Sequence, residues 1–427
     1  MKFDIFGIDR PCVDFTVDLN TIPARNTGCL LNGTGWQGGG KVSTGVVAAA
    51  RLGVACTLVG CVGDDLYGRF CRDDFVRHGV DVSQLHLAAD YTSDLGVVVG
   101  ERSSATRTIL YRKGTAPMLA EEQVDWQALK KSQYLYTAQT TGLNAAAMDR
   151  ASAWNIPTFI DADYYSDSLA ESIPRTSYFV ASEFVFDAMF PGKGTKELRE
   201  MEPECQEILR QGPRTVVFTF GGPGCVGCSR EDGFFWMPAF RVPVRDTVGA
   251  RDVFHGAFLE MLLEGMSPRE CARRASGTSA IKCTFPGGRD GIPTEEILNH
   301  FLETGEILDE TFASVKDFTK EELNMYEPKL TIGVLPTRRS FLDIQTAAAE
   351  KERVMKIIRQ IHPDIVTLVD VEDICTHGMI ESDTFSPVVV QKFRASHVDG
   401  LFVPFCDFGD EGSVADVASQ LGVPVLV

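Results

Sequence analysis

The segment Asp246-Thr247-Val248-Gly249-Ala250-Arg251-Asp252-Val253-Phe254 places a glycine-containing turn directly before an apolar run of helical spacing. The first turn of a helix leaves backbone N–H groups unpaired and carries the positive end of the helix dipole. It therefore suits a phosphate that gains charge as it transfers. Asp252 in that turn can take the proton of an attacking hydroxyl, and phosphoryl transfer asks for little beyond such positioning and charge stabilisation. The same residues also read as an aspartate capping a surface helix. Three other spacings carry less. Cys225 and Cys228 form a Cys-x-x-Cys in a glycine-rich turn, without a second pair at zinc-ribbon spacing. Gly33–Gly38 fits Gly-x-Gly-x-x-Gly, but no strand leads into it and no acid follows about 20 residues later, as a dinucleotide site requires. Gly35 to Lys41 has Walker A spacing, with Val42 where a phosphate loop needs Ser or Thr.

These turns need a scaffold that aims strand ends and helix starts at one place. Ala55–Cys61, Gly96–Val99, Tyr134–Tyr136, Thr158–Ile160, Tyr178–Val180 and Thr215–Phe220 are short, turn-bounded apolar runs of the kind found in buried parallel strands. Helical patterns over Val42–Arg51, Leu66–His78 and Asp252–Glu264 lie among them, which predicts an α/β, doubly wound sheet with right-handed crossovers. Around Phe312–Pro328 the chain turns charged and weakly apolar, which predicts a first domain over 1–312 and a linker over 313–328. The pattern restarts with strands at Leu330–Leu335, Ile365–Val369, Leu401–Phe405 and Val423–Val427. Helices are expected near Phe341–Gln360, Ser386–His397 and Ser413–Leu421, giving a second, smaller Rossmann-like α/β domain over 329–427. Its pattern stops on a strand, which predicts a truncated domain.

Composition removes several classes of function. Of 427 residues, 44% are hydrophobic and 23% charged, and no apolar run reaches the ~18 residues that span a bilayer, so no membrane partner is expected. A formal charge of −18 repels nucleic acid, and no basic patch opposes it. The first residues lack the cationic end, apolar stretch and cleavage site of a secretion signal, which predicts a cytoplasmic protein whose 12 cysteines stay reduced.

Two segments together resemble a known family. Asp246–Phe254 looks like the second signature of the ribokinase-like carbohydrate kinases, Asp-Thr-x-Gly-Ala-Gly-Asp-x-Phe, and Gly39-Gly40-Lys41 with Ala48–Gly53 resembles the first. Gly60–Gly68 adds a Gly-x-x-Gly-x-Asp-x-x-Gly turn, and Thr219–Gly224 adds a Thr-x-Gly-x-x-Gly phosphate loop. The resemblance spans about residues 3–300. It implies ATP and Mg2+ as cofactors and a small sugar as substrate. Asp252 is then the base in an anion hole of Gly249, Ala250 and Arg251, and Asp14, Gly39, Gly40 and Thr44 line the sugar pocket. Thr219, Gly221 and Gly224 cradle the triphosphate, with Gly287 and Gly288 beside adenine. His255 either borders the nucleotide or packs at the sheet edge. Asp246 and Thr247 offer oxygens to a monovalent cation, K+, and Glu183 is the candidate for magnesium. Segments 11–32 and 96–111 resemble the family's β lid, which closes over sugar and pairs subunits into a homodimer.

Three positions depart from the pattern. Thr44 stands where the family has a sugar-binding Asn, Ala181–Phe184 lacks an intact Asn-x-x-Glu, and Arg251 replaces a glycine of the anion hole. These departures motivate the rival reading of a catalytically impaired pseudokinase or regulatory subunit. Residues 329–427 resemble, through Gly333–Arg339 and Gly400–Pro404, the N-terminal domain of fucose/arabinose-type isomerases. That resemblance implies a fusion protein, a structural or interface role for the second domain and, by analogy, a ketose or deoxy sugar for the kinase; a fragment of a bifunctional kinase/isomerase is the third alternative.

Overall fold

A computed structural model of the chain describes residues 2–104, 106–308, 330–339, 343–360, 366–407 and 409–427. The expected linker, and the expected element ends at Phe341 and Ile365, lie outside the described residues. The chain divides into two units, Met1–Thr319 and Lys320–Val427.

The first unit runs β1 (Ile5–Ile8), β2 (Cys12–Leu19), β3 (Gly33–Gly39), α1 (Lys41–Arg51), β4 (Cys56–Gly63), α2 (Leu66–Arg77), β5 (Leu85–Ala88), β6 (Asp94–Glu101) and β7 (Thr106–Arg112). It continues α3 (Trp126–Lys131), β8 (Tyr134–Thr137), α4 (Leu143–Ala153), β9 (Thr158–Ala162), α5 (Asp167–Ser172), β10 (Tyr178–Ser182), α6 (Glu183–Met189) and α7 (Glu202–Leu209). Then follow β11 (Thr215–Thr219), β12 (Cys225–Ser229), β13 (Gly233–Met237), α8 (Ala250–Leu263), α9 (Pro268–Lys282) and α10 (Glu295–Thr304). A nine-stranded sheet has the order β13-β12-β11-β10-β9-β8-β1-β4-β5. Its strands from β11 to β5 pair in parallel, while β12 and β13 close one edge antiparallel. The parallel strands are buried on both faces, which is why they read as continuous apolar runs rather than alternating ones. Helices α1 and α8 approach each other closely at Gly256, where a Cβ would strike the Gly45 carbonyl, while the absent side chain of Gly45 makes room for the Tyr136 ring.

A separate four-stranded sheet, β3-β2-β6-β7, takes in the segments expected to form a lid. It corrects the sequence reading at one strand. The sheet also takes in Gly33–Gly39, which has the glycine spacing of a dinucleotide loop but pairs antiparallel with β2 through its whole length. Four glycines among seven residues erase the alternation that marks a half-buried strand. Trp36 holds it in place by stacking on Tyr67 and meeting Phe15 edge-on, at centroid distances of 5.5 and 5.6 Å. The Cys-x-x-Cys falls on β12, where positions three apart face opposite sides. Cys225 lies near Ser276 of α9, while Cys228 shares a buried environment with Cys205 of α7, so the pair does not converge on one metal.

The second unit holds β14 (Leu330–Val334), α11 (Ile344–Ile358), β15 (Val366–Val369), α12 (Ser386–Ala395), β16 (Gly400–Phe402), α13 (Glu411–Leu421) and β17 (Val425–Leu426). Its four strands are all parallel in the order β15-β14-β16-β17, the topology of a small doubly wound domain. Its core gathers Leu335, Val371, Val389, Phe393, Leu401 and Val417. No described helix is long and apolar enough to cross a membrane.

Candidate active site

In a parallel sheet the strand ends and helix starts converge at the C-terminal edge, and the charged groups of the first unit gather there. Gly249 caps α8 in the left-handed region, with φ 72°, and a Cβ there would come within 2.5 Å of the Gly288 carbonyl. The glycine is thus required by backbone and by space at once. Ala250, Arg251 and Asp252 form the first turn. The Asp252 carboxyl is buried, and its Oδ1 finds no hydrogen-bond partner among the described residues. Burial, with the charge of Asp161 behind it, pushes Asp252 up to about 7, against the pull of Arg251 and Lys41.

The tip of β9 supplies the groups that surround this turn. Asp163 accepts two cations, Lys41 Nζ at 2.6 Å and Arg251 Nη1 at 2.5 Å. The Arg251 side chain is therefore neither spread over the anion hole nor free in solvent, the two destinations its sequence position suggests. It ends against Asp163, one quarter exposed. Asp161 lies 2.7 Å from His255 Nδ1, and both are fully buried. Burial alone would raise Asp161, but His255, Arg251 and Lys41 outweigh it and bring it down to about 2. His255 is thereby removed from the nucleotide-lining set. It is sealed against Phe159 and Phe254 and acts on the site only through Asp161.

On the other side of the turn, α1 begins at Gly40, whose φ of 100° and missing side chain leave the helix start uncapped from within. Asp9, at the end of β1, caps it from outside by accepting from Ser43 N at 2.7 Å. Thr44 sits in the same turn, 2% exposed. Asp14 of β2 lies opposite Gln37 of β3 and Gly96 of β6, and its carboxylate fills the space that a Cβ on Gly39 or Gly96 would need. Burial raises Asp14, partly opposed by Arg289. Arg289, which sequence reasoning did not single out, is 2% exposed. It pairs with Asp74 of α2 and donates to the Gly39 carbonyl at 3.2 Å, so it anchors the end of β3.

The expected phosphate loop is the β11–β12 turn: Gly224 N donates to the Gly221 carbonyl at 2.9 Å, and both glycines have positive φ. Helix α9 links it to the start of α8, since Ser276 neighbours Cys225 and Ser279 Oγ donates to the Ala250 carbonyl at 2.8 Å, one helical turn further on. Thr219 ends β11 and pairs with Ser182, immediately before Glu183 at the head of α6. The Glu183 carboxylate meets no ion-pair or hydrogen-bond partner among the described residues, and no described group of three or more His, Cys, Asp or Glu could hold a metal by itself. That fits a magnesium carried mainly by phosphate oxygens with one protein carboxylate. Gly287 N donates to Asp246 Oδ2 at 2.7 Å, joining the expected adenine-side loop to the segment before the anion hole.

Lys41, Asp9, Asp161 and Asp163 are the site residues that sequence reasoning passed over. The signal that could have found Asp161 and Asp163 is Asp-x-Asp at the C-terminal end of a buried parallel strand.

Comparison with known proteins bears on this site. The pfkB family carbohydrate kinase profile matches residues 10–295. The fucose/sulfoquinovose isomerase N-terminal domain matches residues 333–427. The aminoimidazole riboside kinase of Salmonella typhimurium is 28% identical over 315 residues, covering 68% of this chain and 93% of that protein. The 5-dehydro-2-deoxygluconokinase of Photobacterium profundum is 23% identical over 308 residues, with the same shares covered. Arabidopsis thaliana ribokinase complexed with ribose and ATP superposes with a TM-score of 0.59 at 16% identity, over 71% of this chain and 99% of that one. With its ribokinase-like fold and the family profile covering most of its length, the chain belongs to the pfkB family of carbohydrate kinases and carries an isomerase-type domain fused behind it.

Proposed function

We propose that the chain transfers the γ-phosphate of ATP to a hydroxyl of a small sugar, with Asp252 as the base that takes the hydroxyl proton. The observation that carries this reading is the Asp252 Oδ1, buried and unpartnered at the start of α8, on a carboxyl pushed up to about 7. A buried acceptor without a partner costs free energy unless a ligand completes it, and a base with its pKa near the working pH combines ionised fraction with proton affinity. The N–H groups of Arg251 and Asp252 in the first turn meet the phosphoryl oxygens, while Lys41 and Arg251, tied to one another through Asp163, set positive charge beside them. Magnesium, when bound, neutralises phosphate oxygens, with Glu183 as its protein-side carboxylate. Asp14, held between Gly39 and Gly96, receives sugar hydroxyls.

The fused isomerase-type domain supports a ketose or deoxy sugar as the acceptor, since an aldose–ketose isomerisation yields a ketose. Lid pairing into a homodimer is supported by exposed Ile109, Leu110 and Tyr111 on β7. Asp252→Asn tests the reading. It should retain fold and nucleotide binding while losing turnover by about two to four orders of magnitude; unchanged turnover would remove Asp252 from the reaction. The intact charge cluster favours a working kinase over the impaired one that Arg251 had suggested.

A further inference from the structure

The family resemblance assigns a monovalent cation to oxygens of Asp246 and Thr247, yet a cation of the chain itself already engages each of them. Lys282, in the last turn of α9, is fully buried, and its Nζ donates to the Asp246 carbonyl at 3.1 Å. Arg107 of the lid strand β7 donates through Nη1 to Thr247 Oγ1 at 2.8 Å. The Asp246 carboxylate is satisfied as well: Oδ1 accepts from Val248 N at 2.8 Å and Oδ2 from Gly287 N at 2.7 Å. A metal ion here would have to share these oxygens with a buried group of its own charge. A lysine head is a compact single positive charge with three donors, the electrostatic counterpart of a potassium ion on a tether. Burying one is costly unless anions and carbonyls surround it. Burial pulls Lys282 down, while Asp246, Cys283 and Asp290 draw it back up.

We propose that Lys282 is a positioning residue whose ammonium serves as a built-in monovalent cation, holding segments 246–249 and 286–290 around the start of α8, so that nucleotide binding and turnover need no added potassium. The turnover arm rests on the kinase reading; the binding arm does not.

Nucleotide affinity is read by calorimetry with ATP, and turnover by ADP release, each in potassium and in choline buffers of equal ionic strength. The intact protein should give the same values in both within about twofold, because a cation that does not bind has no coupling to the nucleotide. In choline, Lys282→Ala should bind nucleotide about ten- to a hundredfold more weakly, and potassium or methylammonium should restore most of the loss. Lys282→Met fills the space instead, and should be weakened without rescue. A merely structural lysine would leave both variants beyond rescue by small cations, which overturns the proposal, as would Lys282→Ala binding normally in choline. Should Lys282→Ala fail to fold, the intact protein still decides the matter: a severalfold gain of affinity in potassium overturns the proposal. Because affinity is measured without sugar, absent turnover would count against the kinase reading alone.

Discussion

The two segments that meet at Gly249 treat their polar atoms in opposite ways. After the glycine, the start of α8 and the groups around it leave Asp252 Oδ1 and Arg251 Nε buried without hydrogen-bond partners. Before it, Asp246 has its carbonyl and both carboxylate oxygens engaged by Lys282, Val248 and Gly287. Buried polar groups in a native protein are paired, so unpaired ones gathered at a strand edge mark where a ligand enters, and paired ones mark where the chain has supplied its own partner. The difference separates groups left open at the start of α8 from groups that the chain has already paired.

The largest effect should come from removing the acceptor on the open side. Asp252→Asn keeps the shape and loses the base, and a drop of about two to four orders of magnitude in turnover is expected, with nucleotide affinity measured alongside. Next comes Arg251→Gly, which restores the family's usual residue. Because Asp163 holds the guanidinium beside Lys41, its removal takes positive charge from the site, and turnover should fall about tenfold, equivalent to about 1.4 kcal/mol. A tenfold rise would mean that the side chain obstructs the phosphate.

A smaller effect sharpens the same side of the comparison through pH. Asp252 must be ionised to accept a proton, so kcat/KM should rise as pH passes through about 7 and level off above it. Asp161 is a like charge that raises Asp252, so Asp161→Asn should move that midpoint to lower pH. Arg251 acts oppositely, and Arg251→Gly should move it to higher pH. A midpoint that ignores both substitutions would place the titration elsewhere.

Much of this was legible in the sequence. The alternation of apolar runs and helical patterns predicted the sheet, and Asp246–Phe254 predicted the glycine turn that opens α8, because both are local patterns. What was hidden depends on strand order. Asp161 and Asp163 close an ordinary apolar run, and only the placement of β9 beside β8 and β10 brings them to α8. Lys282 reads as a lysine at the end of an amphipathic helix, and its burial follows from how α9 packs. His255 offered two readings, and the packing of Phe159 and Phe254 around it selected the interior one. The strand Gly33–Gly39 was hidden for a different reason: its glycines make room for the Asp14 and Arg289 side chains, and room leaves no hydrophobic signature.

The most direct measurement is ADP release by the intact chain with ATP and magnesium over a panel of ketoses, deoxy sugars and aldonic acids, with Asp252→Asn run in parallel. The account predicts sugar-dependent ADP formation with at least one ketose or deoxy sugar, lost in the Asp252→Asn variant while both ligands still bind. Sugar and nucleotide bound by the intact chain with no ADP formed would contradict it.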